Sequence, residues 1–203
     1  MEHTENYQSF MERAEVLYPH HDCVRISIAY KLSKFEHRAQ VRKSETNDDG
    51  TPVRYFEHAR RVALIGMDEA LFVDSELTII SLLHDTIEDT RLSPEEITAV
   101  FGPDVSQQVM LMSKKPKVGF RERLLTHGTW RVLATKTMDR IDNLRSMDNC
   151  SDDFRKKQIS ETIEMYIPLA NTMLMRVIEP HVTAAHRLVD LFHDTLSSVQ
   201  KGH

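Results

Sequence analysis

Cysteine, glycine and proline are all scarce in this sequence, and their scarcity limits what the protein can be. There are 2 cysteines, 6 glycines and 7 prolines among 203 residues. Cys23 and Cys150 lie far apart and in no paired motif, so we expect reduced thiols in a cytoplasmic protein. Because no stretch rich in glycine, proline or serine divides the chain, we expect a single domain covering residues 1–203.

Long hydrophobic runs and an excess of positive charge are also missing. No apolar run approaches the length of a membrane span, and residues 1–5 do not begin a signal peptide. The net charge of −5 argues against a surface built for nucleic acid or an anionic membrane. We therefore expect a small-molecule partner, with no nucleic-acid or membrane partner, and the oligomeric state stays open.

Apolar residues recur at helical spacing along most of the chain, and no segment alternates strictly as a half-buried strand does. The predicted fold class is therefore all-α. Residues 44–52 are dense in turn formers and are predicted to be a loop. The predicted helices cover residues 10–18, 22–36, 55–67, 74–84, 93–101, a stretch from 104, 130–147, 153–179 with an interruption at Pro168, and 181–199.

The most informative stretch is the apolar segment 76–83 and the charged residues that follow it. Such continuous apolar sequence is typical of a central helix that is packed on most of its surface. His84, Asp85, Glu88 and Asp89 come directly after it, and a core helix has no stability reason to end this way. On a helix, residues four apart share a face. Burial and mutual repulsion perturb the pKa values of such groups, and a cation would offset their charge. We therefore predict a site that holds a metal or moves a proton.

Two further residues can complete a metal site. His58 lies one predicted helix earlier, and Asp139 lies far downstream on another. Together with His84 and Asp85 they supply two imidazoles and two carboxylates, which suits manganese, iron, zinc or magnesium and leaves positions open for water and substrate. An ion of this kind lowers the pKa of bound water and polarises a phosphoryl oxygen, so the chemistry indicated is hydrolytic.

The order of these residues resembles that of the HD superfamily of metal-dependent phosphohydrolases. More narrowly, the chain resembles the hydrolase domain of RelA/SpoT enzymes and the stand-alone small alarmone hydrolases. The resemblance implies a single all-α HD domain with a core at about residues 25–175 and a C-terminal helix at 181–199. It also implies removal of the 3′-pyrophosphate from (p)ppGpp or (p)ppApp, alarmones of the stringent response, with Mn²⁺ or another divalent ion. The segments that carry it are 42–44, 50–58, 84–90, 96–102, 136–145 and 161–170.

The resemblance also implies a role for each matching residue. It makes four residues metal ligands and two carboxylates the catalytic pair that orients the attacking water and takes its proton. The implied ligands are His58, His84, Asp85 and Asp139, and the implied catalytic pair is Glu88 and Asp89. The implied substrate-binding residues are Arg42, Lys43, Asn143, Ser146 and Tyr166.

Three positions depart from the family pattern. The loop before His58 is longer than expected, and Ala59 stands where a proline often follows the first metal histidine. Asp142 occupies a place usually held by His or Tyr, and it would add negative charge beside a phosphate site. These departures leave the implied ligand set intact but put the pattern of substrate contacts in question.

Other interpretations stay open at this point. His37 is a rival to His58, His84–Asp85 could be a structural ion pair, and an aromatic residue such as Tyr166 is most often part of a core. The chain could be an HD phosphatase that acts on another nucleotide. It could also be a non-catalytic protein that senses an alarmone or binds a partner in the same pocket.

Overall fold

Helices form most of the structure, as the spacing of apolar residues predicts, and the all-α fold class is confirmed. The structure is a computed structural model that describes residues 6–147 and 150–201, without the side chains of Lys43 and Ser44. The helices are α1 (Tyr7–Leu17), α2 (His20–Glu36), α3 (Tyr55–Leu64), α4 (Ser75–Leu83), α5 (Thr86–Asp89), α6 (Pro94–Phe101), α7 (Pro103–Met112), α8 (Phe120–His127), α9 (Trp130–Arg145), α10 (Asp152–Glu161), α11 (Ile167–Arg176) and α12 (Val182–Lys201).

Helix α4 lies at the centre of the fold, as its continuous apolar sequence predicts. Every residue from Leu77 to Leu83 is buried, because α4 packs against α2, α3, α7 and α9. Helix α9 is buried along most of its length and packs in turn against α3, α11 and the C-terminal helix α12. The site residues on α3, α4 and α9 therefore start from one shared core. Among the helices that the structure describes, none is long and apolar enough to cross a membrane.

A short antiparallel hairpin occupies the segment that was predicted to be only a loop. Its strands are β1 (Val41–Thr46) and β2 (Pro52–Arg54), and their pairing register shifts between Val41 and Thr46. Gly50 has φ +80° in the connecting turn, a conformation that glycine adopts without strain. The hairpin was missed because β1 is short and largely polar, so it carries no alternating apolar pattern.

The chain bends directly after the predicted central helix. Helix α4 ends at Leu83, and Asp85 adopts φ −103°, ψ −2° before α5 begins at Thr86. The expected stacking of His84 on Glu88 along one helix face is therefore wrong. The bend turns His84 inward, where it is fully buried, whereas the carboxylate of Glu88 bonds to the loop after α7.

Smaller differences concern the other helices. The spacing of Val24, Ile28 and Leu32 predicts one apolar stripe on α2. Val24 and Ile28 are 46% and 42% exposed, however, and the buried face of α2 carries Ile26 and Tyr30. Pro168 lies in the first turn of α11, and because it has no N–H it cannot donate to the helical turn before it. A π-helical turn at Thr162–Tyr166 precedes it. Helix α8 was not predicted from the sequence.

One ion pair joins the start of α4 to α9 and gives a test of the fold. Asp74 accepts the backbone N–H of Leu77 at 2.7 Å and caps α4. Its two carboxylate oxygens also accept from Arg131, at 2.9 and 2.7 Å. Asp74→Ala removes the cap and both short hydrogen bonds to the Arg131 guanidinium, whose side chain is 28% exposed. We expect it to lower the free energy of unfolding by about 2–3 kcal/mol, measured by urea denaturation.

Glu76 provides the matched control for this prediction. Its carboxylate lies 3.7 Å from the same arginine and is 34% exposed. Glu76→Ala should therefore cost less than about 1 kcal/mol. Equal losses in the two variants would contradict the importance assigned to the Asp74 contacts.

Candidate active site

Three predicted metal ligands meet where α3, α4 and α9 come together. One ligand atom from each of His58, His84 and Asp139 lies within 4.8 Å of the others, and all three residues are buried. The Nε2 atoms of His58 and His84 are 3.2 and 3.9 Å from Asp139 Oδ1. The rival His37 lies outside this cluster, where its Nδ1 pairs with Gln40 Oε1 at 2.7 Å.

Asp85, the fourth predicted ligand, reaches the same place. Its Oδ2 lies 3.0 Å from His84 Nε2 and 3.7 Å from His58 Nε2. Atoms that each lie about 2.0–2.2 Å from a shared ion are roughly 3–4 Å from one another. The spacing of these four side chains therefore fits one divalent ion.

Hydrogen bonds on the far side of each imidazole determine which nitrogen faces the cluster. His84 Nδ1 lies 2.8 Å from the carbonyl oxygen of Ser81, and because a carbonyl only accepts, Nδ1 carries the hydrogen. His58 Nδ1 pairs in the same way with Asp142 Oδ2 at 2.6 Å. Both Nε2 atoms thus point at the carboxylates, and His84 Nε2 is buried without a hydrogen bond of its own. A buried nitrogen that makes no hydrogen bond and faces carboxylate oxygens is available to coordinate a metal ion.

The electrostatics of the cluster follow from its burial and its paired charges. Burial alone would lower the pKa of His58, but hydrogen bonds with Asp139 and Asp142 outweigh it and raise the pKa to about 9. Burial would raise the pKa of Asp139, but the Lys136 ammonium, 3.1 Å from Asp139 Oδ2, and the two imidazoles hold it well below its usual range. The protonated imidazole therefore occupies a place where a metal would supply the positive charge.

Asp142, one of the departures from the family pattern, does not repel phosphate in the way the sequence suggested. Its carboxylate accepts from His58 Nδ1 and, at 2.6 and 3.0 Å, from Arg61. It is 2% exposed, and its charge is paired inside the protein with the Arg61 guanidinium. A histidine held by a carboxylate is a common support for a metal site, and this role was missed because His58 and Asp142 are distant in sequence.

The two predicted catalytic carboxylates take different positions. Asp89 is exposed and lies beside Asp85, because the Tyr55 hydroxyl is 2.6 Å from Asp85 Oδ2 and 3.1 Å from Asp89 Oδ2. Glu88 instead accepts the backbone N–H of Lys114 at 2.7 Å. They are therefore not a side-by-side pair, and their catalytic roles stay predictions.

Tyr55 was not predicted as a site residue. Burial, together with the neighbouring Asp85 carboxylate, raises its pKa far above the ordinary value, so it remains a hydrogen-bond donor. Tyr55 lies three residues before His58, a spacing that places both side chains on one face of α3. That spacing is the one signal in the sequence that could have found it.

A cavity of about 620 Å³ opens beside the ligands and contains most of the predicted substrate-binding residues. This is within the usual range for a small-molecule site. Arg42, Asn143, Ser146 and Tyr166 all line it, and so does Asp89. The side chain of Lys43 lies outside the described residues.

Asn143 connects this cavity to the metal ligands. Its Nδ2 donates to Asp139 Oδ1 at 2.6 Å, and its Oδ1 accepts from Arg42 Nη2 at 2.9 Å. Ser146 uses its hydroxyl to donate to the carbonyl oxygen of Asp142 at 2.8 Å. Only its remaining lone pairs are therefore open to a ligand.

Tyr166 belongs both to the core and to the cavity wall. It is 2% exposed, and the Arg140 guanidinium lies 3.8 Å from the centre of its ring. Arg140 also donates to Gln158 at 2.5 Å and pairs with Glu161 at 3.1 Å. Gln158 and Glu161 also line the cavity. They were not predicted as site residues, because nothing in the sequence indicates that α10 faces α9.

Known proteins resemble the chain over most of its length. No family model matches the chain. It is 33% identical over 178 residues to the GTP pyrophosphokinase rsh of Brucella melitensis, which covers 82% of this chain. It is 35% identical over 165 residues, or 77% of the chain, to the guanosine-3′,5′-bis(diphosphate) 3′-pyrophosphohydrolase of Aquifex aeolicus. Identity to the bifunctional (p)ppGpp synthase/hydrolase SpoT of Escherichia coli is 29% over 179 residues.

The chain is related to the RelA/SpoT family. It spans about a fifth of the length of these relatives, 22–24% of each. A solved structure, described as a metazoan SpoT ortholog that hydrolyses ppGpp, matches with a TM-score of 0.64 and 24% identity. That match covers 91% of this chain and 98% of the other. It shows that this chain has the same all-α fold as that protein.

The raised pKa of His58 leads to a prediction about metal uptake by this RelA/SpoT relative. Near neutral pH the imidazole carries a proton, which an ion must displace before Nε2 can coordinate. We expect uptake of Mn²⁺ or Zn²⁺ to release about one proton per ion from this residue and to weaken as the pH falls. Titration in weakly buffered solution with a pH indicator measures the release. Uptake without proton release, at an affinity that does not change with pH, would contradict the assignment.

Proposed function

We propose that this chain hydrolyses the 3′-pyrophosphate of a purine nucleotide alarmone, (p)ppGpp or (p)ppApp, and releases pyrophosphate. The observation that carries the proposal is the convergence of His58, His84, Asp85 and Asp139 beside a nucleotide-sized cavity. The names of the relatives from Aquifex aeolicus and Escherichia coli support the same substrate class.

Mn²⁺ is the proposed ion, because two imidazoles and two carboxylates without sulfur form a donor set that suits it. A bound divalent ion supplies Lewis-acid polarisation of the phosphoryl group and lowers the pKa of water. Lys136 holds the second oxygen of Asp139 at 3.1 Å, so that carboxylate offers Oδ1 to the ion. We further propose a cytoplasmic location, since Cys23 and Cys150 are both free thiols.

The other side chains have roles that follow from their contacts. Asp89 is exposed at the cavity wall beside Asp85, where it can accept a proton from the attacking water. For Glu88, whose carboxylate accepts the backbone N–H of Lys114, the role in orienting that water is the one that the family resemblance implies. Arg42, Lys114 and Arg140 line the same cavity and provide positive potential for a polyphosphate.

Pyrophosphate release from guanosine and adenosine 3′-pyrophosphate substrates tests the proposal. We expect release that depends on Mn²⁺ and stops when a chelator removes the ion, and the preferred base identifies the alarmone. Tight nucleotide binding without turnover, in protein shown to hold the ion, would favour a sensor. An absence of both binding and turnover would contradict the substrate assignment.

Substitutions should separate metal ligands from catalytic carboxylates. Asp139→Ala and His84→Ala each remove a donor atom, so we expect metal binding and turnover to be lost together. Asp89→Asn and Glu88→Ala leave the ligands intact, so metal binding should remain while kcat falls by about 10²- to 10⁴-fold. Metal titration and pyrophosphate release on the same samples provide the measurement.

Glu95→Gln is the control for these variants, because Glu95 is an exposed carboxylate in the first turn of α6. It should change neither metal binding nor kcat. Full activity in Asp89→Asn would contradict its role in proton transfer, and full activity in Glu88→Ala would remove that residue from the mechanism.

Arg42 should affect substrate affinity more than the chemical step. Its guanidinium lines the cavity and lies 5.8 Å from the centre of the Tyr55 ring, where it can stack on a purine. We expect Arg42→Ala to raise KM by about three- to thirtyfold, the worth of one cation–π contact, with a smaller change in kcat. Arg38→Ala is the matched control, because Arg38 is exposed and covers Phe35 instead. Equal effects of the two variants on KM would contradict the assignment.

A further inference from the structure

Seven polar side chains form a closed ring that passes through both the metal ligands and the nucleotide cavity. One half of the ring is short. Asp139 Oδ1 accepts from Asn143 Nδ2 at 2.6 Å, and Asn143 Oδ1 accepts from Arg42 Nη2 at 2.9 Å. A single asparagine therefore joins a metal ligand to the arginine assigned to the base.

The other half of the ring returns from Arg42 to the metal ligands by a longer route. Arg42 Nε donates to Glu45 Oε1 at 2.5 Å, and Arg61 Nη2 donates to the other oxygen, Oε2, at 2.8 Å. Arg61 also donates to both oxygens of Asp142, which holds His58 Nδ1. His58 Nε2 lies 3.2 Å from Asp139 Oδ1 and closes the ring.

The local structure makes this ring possible. On a regular strand, residues three apart point to opposite faces. The register shift within β1 allows Arg42 and Glu45 to meet on one side of the hairpin. The side chain of Glu45 is 15% exposed and that of Asp142 is 3% exposed, so the acceptor oxygens are largely shielded from water and from salt. The side chain of Arg61, which joins them, is 35% exposed.

We propose that Glu45 and Arg61 are positioning residues that couple metal binding to nucleotide binding. The proposal rests on the proposed function, because it needs a nucleotide in the cavity. An ion held by His58 and Asp139 fixes two members of the ring, and through Asp142 and Asn143 it restricts the others. Arg42 is then already ordered when the nucleotide arrives, so the second ligand loses less conformational entropy than it would alone.

The coupling can be measured as a ratio of two affinities. Calorimetry gives the Kd of guanosine 5′-monophosphate without metal and with free Mn²⁺ held constant by a metal buffer. For the unaltered protein we expect binding to be at least about fivefold tighter with Mn²⁺. Glu45→Gln replaces two acceptor oxygens with one, so it cannot hold both arginines as glutamate does. The ratio should fall towards one in this variant while the affinity for Mn²⁺ alone changes little.

Two comparisons make the result specific. Glu69→Gln is the matched control, because Glu69 lines a cavity together with Glu45, Arg61 and Asp142 but pairs with Arg145 at 2.7 and 2.8 Å. It should leave the ratio unchanged. A general loosening of the structure would weaken nucleotide binding equally with and without Mn²⁺, and so would leave the ratio unchanged too.

The possible outcomes separate this proposal from the proposed function. A ratio that falls in Glu45→Gln and not in Glu69→Gln supports the ring. A ratio in Glu45→Gln equal to that of the parent protein overturns the ring and leaves alarmone hydrolysis standing, provided that the parent releases pyrophosphate. A parent protein that binds Mn²⁺ but neither binds guanosine 5′-monophosphate nor releases pyrophosphate overturns the proposed function, and the coupling proposal with it.

Discussion

The site depends first on two hydrogen bonds that orient His58 and His84. The carbonyl oxygen of Ser81 and the carboxylate of Asp142 each hold an imidazole at Nδ1. With those positions taken, Nε2 is the nitrogen that remains for coordination. If either hydrogen bond were absent, that imidazole could turn, and its Nε2 would no longer be held towards Asp85 and Asp139.

The fold supplies these bonds from the same helices that supply the ligands. Helix α4 provides Ser81 one turn before His84, so the backbone at the end of the central helix orients the imidazole that follows it. Helix α9 provides both Asp139 and Asp142, and residues three apart on a helix share a face. This arrangement buries several charges, a state that is unfavourable unless each one is paired. Lys136 and Arg61 provide that pairing, at 3.1 Å from Asp139 and 2.6 Å from Asp142.

The sequence predicted the helical fold and the grouping of four donor residues, but not the arrangement around them. His84 and Asp85 could be found because charged residues directly after a buried apolar helix are chemically conspicuous, and His58 and Asp139 because their order along the chain resembles that of a known family. The role of Asp142 could not be predicted, because it depends on a contact with His58, which lies on another helix. Glu88 was assigned to the same helix face as His84, but the bend after Leu83 turns it towards Lys114. The hairpin lacks an apolar pattern, so no periodicity indicated that Arg42 and Glu45 would meet.

The site has two parts, a buried metal cluster and a more open nucleotide cavity. Asn143 and Tyr55 stand at the boundary, each bonded to a predicted ligand on one side and lining the cavity on the other. A substrate in the cavity would therefore meet side chains whose positions already depend on the cluster. This proximity is why the identity of the nucleotide and the occupancy of the metal site are best studied together.

The most direct test of the account is to follow metal occupancy and pyrophosphate release in the same samples. Metal-free protein is titrated with Mn²⁺ in the presence of guanosine 3′,5′-bis(diphosphate), and bound ion and released pyrophosphate are measured at each step. We expect one ion per chain and a rate that rises in proportion to occupancy, with neither seen in Asp139→Ala. Release of pyrophosphate by metal-free protein, or by Asp139→Ala at the parent rate, would contradict it.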